Sequence, residues 1–544
     1  MVFRRYELGL TTCVAGSILL MGANNCSTPA VFTTTLQMRD GTILTADAYT
    51  PGDDRSPTVL IRTPYGRELS AGDAEKFQDD GYSVLVEDMR GTGASQGTFM
   101  LFTDDGWGET QDGFDTVDFA STQSWANGDV CTHGFSALAI SSYLASGAAH
   151  PNLRCAWAQA GSGDLYHHQI YQNGALRVET VVAWLAGGGW TEALDMVYQH
   201  PMDDGTWDNI TLPNRYGEVT IPIYHKGGWY DPFQQSTLDA FSGLQAEGGP
   251  GAAGQQKLLM GPWTHGIPGQ VEFPNSDGPA GEDQRWMDRW LKNIPNGIDT
   301  EDPVQYYLMG DPLDDSSLGN FWVRGESWPP PSTERSWHLH PGGWLREEAP
   351  PADAGPAGYT FNPADPVPTL GGANLTTLAG PWDQRLVLFR PDVLIYISEI
   401  LLEPVVVAGR IKMRLWVSSS AIDTDFTVKL MDVHPDSTAM LITDGIQRMR
   451  FREGQDHETF MTPGQIYPVD IDLWSTAQVF NRGHRLGIAI SSSNYPRFDV
   501  NHNTGGPLND AADPIQTADQ IIYQDAAHPS TLVLPVTDLA SLSP

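Results

Sequence analysis

Three features of the chain predict an α/β core, interrupted by a helical insertion and followed by a C-terminal β-sandwich. Strand-like and helix-like segments alternate over residues 31–160. Strands then stop between Leu165 and about Asn214, and resume at Ile221. Beyond roughly residue 305, short period-two runs punctuated by proline and glycine take over. Alternating strands and helices mark an α/β domain, whereas period-two runs with frequent turns and few helices mark a sandwich.

Residues 32–38 and 43–49 flank the turn at Asp40-Gly41 as an opening hairpin. Residues 58–62 and 83–87 are short apolar strands, and 115–123 is a helix. A strand over 129–133 leads into Gly134-Phe135-Ser136, followed by a small-residue helix over 140–149 and a strand over 155–160. In the insertion, Val178, Val181, Val182 and Leu185 share one helical face, and Ala193, Leu194, Met196 and Val197 suggest a second helix. Tyr166, Trp184 and Trp190 read as packing residues there. Residues 221–225 and 257–260 are buried strands, and 283–291 is a helix with Trp286/Trp290 and Met287/Leu291 at i, i+4. Later, Ile411, Met413, Leu415 and Val417 alternate with polar or amphipathic neighbours. Phe426, Val428 and Leu430 repeat the pattern, as do Leu486, Ile488 and Ile490. The expected boundaries are a core over 30–164 and 219–304, an insertion over 165–218, and the sandwich over 305–544.

The 544 residues, 40% hydrophobic and 18% charged, have the balance of an ordinary folded protein. A net charge of −36, from 67 acidic and 31 basic residues, argues against nucleic-acid and anionic-membrane partners. It reads as a strongly solvated surface; steering of cationic substrates is the functional alternative.

Arg4 and Arg5 precede a largely apolar run from Leu8 to Ala23, too short and too near the start for a membrane span. Residues 1–29 read as a signal peptide, which places the mature protein in a secreted or periplasmic setting. Cys26 offers a site for a lipid anchor, though Ala23-Asn24-Asn25 is a poor lipobox. No other stretch is long and apolar enough to span a bilayer. Of four cysteines, Cys13 and Cys26 lie in or beside this leader. Cys131 and Cys155 fall on strands before and after the small-residue helix, neighbours in a parallel sheet. A disulfide and a pair of buried thiols both remain open. No Cys/His spacing resembles a metal site, so no metal and no cofactor are expected.

The chemistry gathers at three strand ends. Gly134-Phe135-Ser136 has the form of a nucleophile elbow, in which a sharp strand-to-helix turn lifts a serine hydroxyl clear of the sheet. Downstream, Asp231 follows Gly227-Gly228-Trp229-Tyr230, and His265 follows Gly261-Pro262-Trp263-Thr264. Ser, Asp, His in that chain order is the α/β-hydrolase order of a catalytic triad. A serine hydroxyl is a poor nucleophile until a histidine takes its proton, and a buried carboxylate fixes that imidazole's tautomer.

These motifs, with several others, resemble the X-prolyl dipeptidyl peptidase-like serine hydrolases, the group of cocaine esterase, glutaryl acylases and α-amino-acid ester hydrolases. The matching segments are Arg62-Thr63-Pro64-Tyr65, Glu87-Asp88-Met89-Arg90-Gly91-Thr92-Gly93, Asp112-Gly113-Phe114-Asp115-Thr116 and Trp125-Ala126-Asn127-Gly128, together with the turns at Asp231 and His265. Gly483-His484-Arg485-Leu486 and Ser492-Ser493-Asn494-Tyr495-Pro496-Arg497-Phe498 fit as well. The resemblance implies an α/β-hydrolase core, a helical cap over the active site and a C-terminal jelly roll. It implies Ser136 as nucleophile, His265 as general base and then acid, and Asp231 as its partner. Tyr65 matches the family's oxyanion tyrosine, acting with the backbone N–H of Ala137; one such donor is worth about 3 kcal/mol of barrier.

Three departures bear on the substrate. Ala137 and Ala139 stand where the family has tyrosine and glycine, and Asp231 is followed by Pro232-Phe233-Gln234-Gln235, without the carboxylates that hold a substrate ammonium group. The expected activity is hydrolysis of a small-molecule ester or amide. An X-prolyl dipeptidyl-peptidase is the alternative within the family. A catalytically inert carbohydrate-binding protein is the alternative of another class, opposed by the retention of Ser136, Asp231, His265 and Tyr65 together.

Overall fold

The computed structural model describes residues 29–52, 54–314 and 316–542. Residues 1–28, with Cys13 and Cys26, lie outside the described residues, so the signal-peptide and lipid-anchor expectations concern a part of the chain not described.

The first sheet has ten strands among the described residues. In chain order these are β1 (Ala30–Gln37), β2 (Ile43–Thr50), β3 (Ser56–Thr63), β4 (Ser83–Asp88), β5 (Ala126–Phe135) and β6 (Leu153–Gln159). After a two-residue hairpin, β7 (Tyr171–Gln172) and β8 (Ala175–Leu176), come β9 (Ile223–Tyr230), β10 (Lys257–Thr264), β11 (Val304–Leu308) and β12 (Phe321–Gly325). The sheet order is β1-β2-β4-β3-β5-β6-β9-β10-β11-β12, parallel from β4 to β11 and antiparallel at both margins.

The near-continuous apolar runs of the central strands follow from burial on both faces. Val59, Ile61, Val84, Val86 and Trp157 point to one side, against Phe77 of α1 (Ala71–Asp79) and Trp286 and Met287 of a later helix, Glu282–Leu291. Leu60, Leu85, Val130, Ala156 and Ala158 point to the other, against α2 (Asp112–Thr122) and α3 (Ala137–Gly147). Cys131 and Cys155 share the first face, are register partners with Cα atoms 4.7 Å apart, and form a disulfide. Of the two readings of these cysteines, the structure carries the crosslinked one.

The insertion holds α4 (Ala183–Gly188) and α5 (Thr191–Gln199), and Val181, Leu185, Ala193 and Val197 pack onto Ala137, Ile140 and Leu144 of α3. It is not free of strands. Asn173 and Gly174, at φ 49° and 82°, make the tight turn of the β7–β8 hairpin, as an Asn-Gly dipeptide favours.

Two further expectations are corrected. Strand β9 runs on to Tyr230 instead of ending at residue 225. Gly228 lies within the strand, where a Cβ would stand 2.2 Å from the Trp263 carbonyl oxygen, so this glycine marks a close approach of β10. The first sheet also continues past residue 304, because β11 pairs with β10 and β12 with β11.

A second sheet, of twelve strands among the described residues, fills the β-rich C-terminal part. Ile411, Met413, Leu415 and Val417 lie within the strand Val405–Ser419 and alternate with exposed or half-buried neighbours. The strand Asp425–Val433 does not alternate in burial, because Met431 and Val433 on its second face are covered by Val367, Val387 and Val393.

Candidate active site

Ser136 follows β5 directly and opens α3, at φ 62° and ψ −125°. A non-glycine residue in this region costs about 1–3 kcal/mol and persists only where its surroundings impose it. Here the Ser136 N–H donates to Gln159 O (2.9 Å) while its carbonyl accepts from Ala139 and Ile140. The turn projects the hydroxyl above the C-terminal edge of the sheet. Ala137, as the first residue of α3, has an N–H without an intrahelical acceptor.

Asp231 and His265 follow β9 and β10, which pair with Tyr230 opposite Thr264. The two residues therefore leave the sheet edge side by side. Asp231 is 2% exposed; its Oδ1 accepts from Phe233 N (2.8 Å) and its Oδ2 from His265 Nδ1 (2.7 Å). That bond fixes the proton on Nδ1, so Nε2 accepts from Ser136 Oγ at 2.9 Å. Phe135 stacks on the imidazole, with centroids 4.8 Å apart and planes 19° off parallel. Burial disfavours the charged ring, but the charge and hydrogen bond of Asp231, with the charge of Glu179, hold His265 above its ordinary pKa.

Tyr65 lies two residues beyond β3, its hydroxyl accepting from Trp184 Nε1 at 3.0 Å. Burial raises its pKa, against the effects of hydrogen bonds to Trp184 and Ser136. The strand that carries it is anchored by Arg62, which donates to Glu87 Oε1 and Asp105 Oδ1, each at 2.7 Å, with all three side chains buried. Thr116 donates to the other oxygen of Glu87. The Arg62, Glu87 and Thr116 motifs thus meet in one buried polar network beneath the site.

Tyr65, Ser136, Ala137 and His265 border one cavity of about 420 Å³. Leu101, Phe102, Ile140, Ile170, Val181 and Phe233 make its wall apolar. The structure thus brings together all the residues that the sequence pointed to, and adds others. Trp184, expected as packing, lines the cavity and touches Tyr65. Tyr166 is fully buried, as expected of packing. Leu375 reaches the cavity from the C-terminal part, its loop held by Glu179, whose Oε2 accepts from Leu375 N and Thr376 N at 2.9 Å. No local pattern marks Leu375 or Glu179. The methyl of Ala139 faces Gly161, where a Cβ would come within 2.5 Å of it.

Such an arrangement can move a proton from Ser136 to His265 and present two donors to an oxyanion.

Residues 40–196 and 189–267 match the X-Pro dipeptidyl-peptidase (S15) family, and residues 296–533 match the X-Pro dipeptidyl-peptidase C-terminal non-catalytic domain. The chain is 32% identical to cocaine esterase from Rhodococcus sp. (strain MB1 Bresler), covering 92% of this chain and 97% of that one. Two solved structures share the fold. An aminopeptidase from a marine sediment Thaumarchaeota archaeon has a TM-score of 0.79 at 24% identity, covering 95% of this chain and 98% of its own. An α-amino-acid ester hydrolase has a TM-score of 0.76 at 23% identity, covering 96% and 98%. A hydroxyl poised on an imidazole at a strand end, in a chain with these relatives over nearly its full length, has one explanation: this protein belongs to the X-Pro dipeptidyl-peptidase (S15) family of serine hydrolases.

Proposed function

We propose that the protein hydrolyses an ester or amide bond of a small molecule with an apolar acyl group, through an acyl-enzyme on Ser136. The observation that carries this reading is the Asp231–His265–Ser136 hydrogen-bond chain opening into an apolar cavity. Ser136 Oγ attacks the acyl carbon as its proton passes to His265 Nε2. The oxyanion takes hydrogen bonds from the Tyr65 hydroxyl and the Ala137 N–H. Collapse breaks the bond to the leaving alcohol or amine, which takes the proton from His265. Water then repeats the attack, giving its proton to His265, and Ser136 leaves as the regenerated hydroxyl with the free acid.

Dipeptidyl-peptidase action is less well supported. It requires a carboxylate for the substrate's free N-terminus. The buried Glu179 spends Oε2 on Leu375 N and Thr376 N, and its Oε1 accepts from Thr180, while Asp73 is an exposed residue of the cavity wall. The inert carbohydrate-binding reading leaves the aligned hydrogen-bond chain without a purpose.

In the same reading, the first sheet and its helices are an α/β-hydrolase core, the insertion is its cap and the C-terminal part is a jelly roll. Export to a secreted or periplasmic setting is supported by the Cys131–Cys155 disulfide, which needs an oxidising compartment to persist.

Turnover of p-nitrophenyl acetate and butyrate beside Gly-Pro-p-nitroanilide tests the proposal, with Ser136→Ala as control. Ester cleavage that the substitution abolishes supports it. Gly-Pro cleavage abolished by the same substitution would replace it with the peptidase. Silence toward all three, with no fluorophosphonate labelling of Ser136, would overturn it.

A further inference from the structure

We propose that Asp311, His434 and His484 form a binding site for a divalent transition-metal ion of zinc's type, with Asp432 orienting the His484 imidazole. The three ligands come from separate stretches, so no short spacing announces them. His434 follows the strand Asp425–Val433 and His484 precedes the strand Arg485–Ser491. These strands pair antiparallel with Val433 opposite Arg485, so the histidines emerge side by side, ring centroids 4.5 Å apart. Asp311 comes from the β11–β12 connection of the first sheet. Reciprocal bonds of Met309 with Ala477 (2.9 Å) and Val479 (2.8 Å) hold that connection against the second sheet.

One ligand atom from each of the three residues lies within 4.8 Å of the others. Asp311 Oδ2 is 3.4 Å from His434 Nδ1 and 4.0 Å from His484 Nε2. Tetrahedral ligands on zinc, at about 2.0–2.1 Å from the metal, stand roughly 3.4 Å from one another, the separation that Asp311 Oδ2 and His434 Nδ1 already have; His484 closes the set by moving inward. The other oxygen of Asp311 accepts from Leu313 N (2.9 Å), which leaves Oδ2 to face the histidines.

The non-ligating nitrogens give an independent indication. Asp432, 1% exposed, sets Oδ1 at 2.9 Å from His484 Nδ1 and Oδ2 at 3.8 Å from His434 Nε2. That Oδ2 is buried and has no hydrogen-bond partner. A carboxylate hydrogen-bonded to the far nitrogen of an imidazole whose other nitrogen faces a ligand carboxylate is the outer arrangement that fixes a histidine tautomer at metal centres, and His484 has it. Among the described residues, neither Asp311 nor Asp432 pairs with a lysine or arginine. The cationic side chains that face them are His434 and His484; with both imidazoles neutral as ligands, a divalent ion supplies the compensating charge. None of these residues borders the Ser136 cavity. The ion acts as a clasp between the margin of the first sheet and the second sheet, and its binding energy adds to the stability of the folded chain.

Zinc titration of the full chain after EDTA dialysis, read by bound metal per chain and by Tm, tests the site. One Zn²⁺ per chain and a Tm rise that EDTA reverses are expected. Asp311→Asn and His434→Gln should lose both, whereas Asp432→Asn, which keeps every ligand, should weaken binding by about 10–100-fold. Ester turnover should be unchanged in all three. Absence of bound zinc in the wild type would overturn the site, as would equal binding by wild type and Asp432→Asn. The latter comparison holds even where the ligand variants fail to fold.

Discussion

Trp184 donates its indole N–H to the hydroxyl of Tyr65 across 3.0 Å, tying the inserted segment to the turn after β3. With one lone pair of the phenol oxygen so occupied, its proton is left to point at the oxyanion. Tyr65→Phe should lower kcat about 10²–10³-fold. Trp184→Phe keeps a ring in the wall but loses the bond, and should lower kcat about 5–10-fold. Combined, the two should be no worse than Tyr65→Phe alone, because both act through one hydroxyl. Multiplicative losses in steady-state kinetics would refute the coupling.

The pH profile follows from His265. Its pKa is raised in the folded chain, and only the neutral imidazole accepts the serine proton. The acid limb of kcat/KM should therefore lie above about 6.5, the ordinary imidazole value. Asp231→Asn removes the charge that raises it, so the limb should move down while kcat falls about 10⁴-fold. In the wild type the same pair stabilises the fold fully below the unfolded imidazole value. That contribution fades as pH rises through the folded one. An acid limb unmoved in the variant would count against His265 as the titrating base.

Backbone strain at Ser136 separates stability from activity. Ser136→Ala and Ser136→Gly should both be inactive, but only glycine adopts φ 62° without cost. Calorimetry should find the glycine variant about 1 kcal/mol more stable than the alanine one. Equal stabilities would mean that the elbow stores no strain.

Arg62 is buried between Glu87 and Asp105. Desolvation already pushes the Asp105 carboxyl up to about 7, against the lowering effect of Arg62. Arg62→Met leaves two carboxylates without their cation and should cost about 3–5 kcal/mol. Urea denaturation should show this as a lower midpoint, larger at pH 8 than at pH 5, where Asp105 is protonated.

Gly161 and Ala139 divide one space. Gly161→Ala puts methyl against methyl and should cost about 1–3 kcal/mol. Adding Ala139→Gly should recover part of that loss. Additive effects in a double-mutant cycle would show that the two do not share the space.

The residues that carry the proposed chemistry were legible because their setting is local. A serine on a strand-to-helix turn, and an aspartate and a histidine just past apolar strands, are defined by a few neighbours in the chain. The tyrosine after Arg62-Thr63-Pro64 was marked only by the resemblance, since an aromatic after a proline turn carries no such signal of its own. Strand ends were less legible wherever glycine served close packing, as at Gly228, since a turn glycine and a contact glycine look alike in one dimension.

The sequence by itself determined the α/β rhythm, the β-rich C-terminal part and the positions of Ser136, Asp231 and His265, because periodicity and turn chemistry act over short range; Tyr65 was marked by the family resemblance of its motif. Only the tertiary structure decided what surrounds them. It bonded Trp184 to Tyr65, swung Leu375 into the cavity on Glu179, set Gly161 against Ala139, and gathered Asp311, His434 and His484 at one sheet end. Each of these contacts joins segments far apart in the chain, and which of them meet depends on how sheets and loops dock, a property of burial and shape that no short stretch encodes.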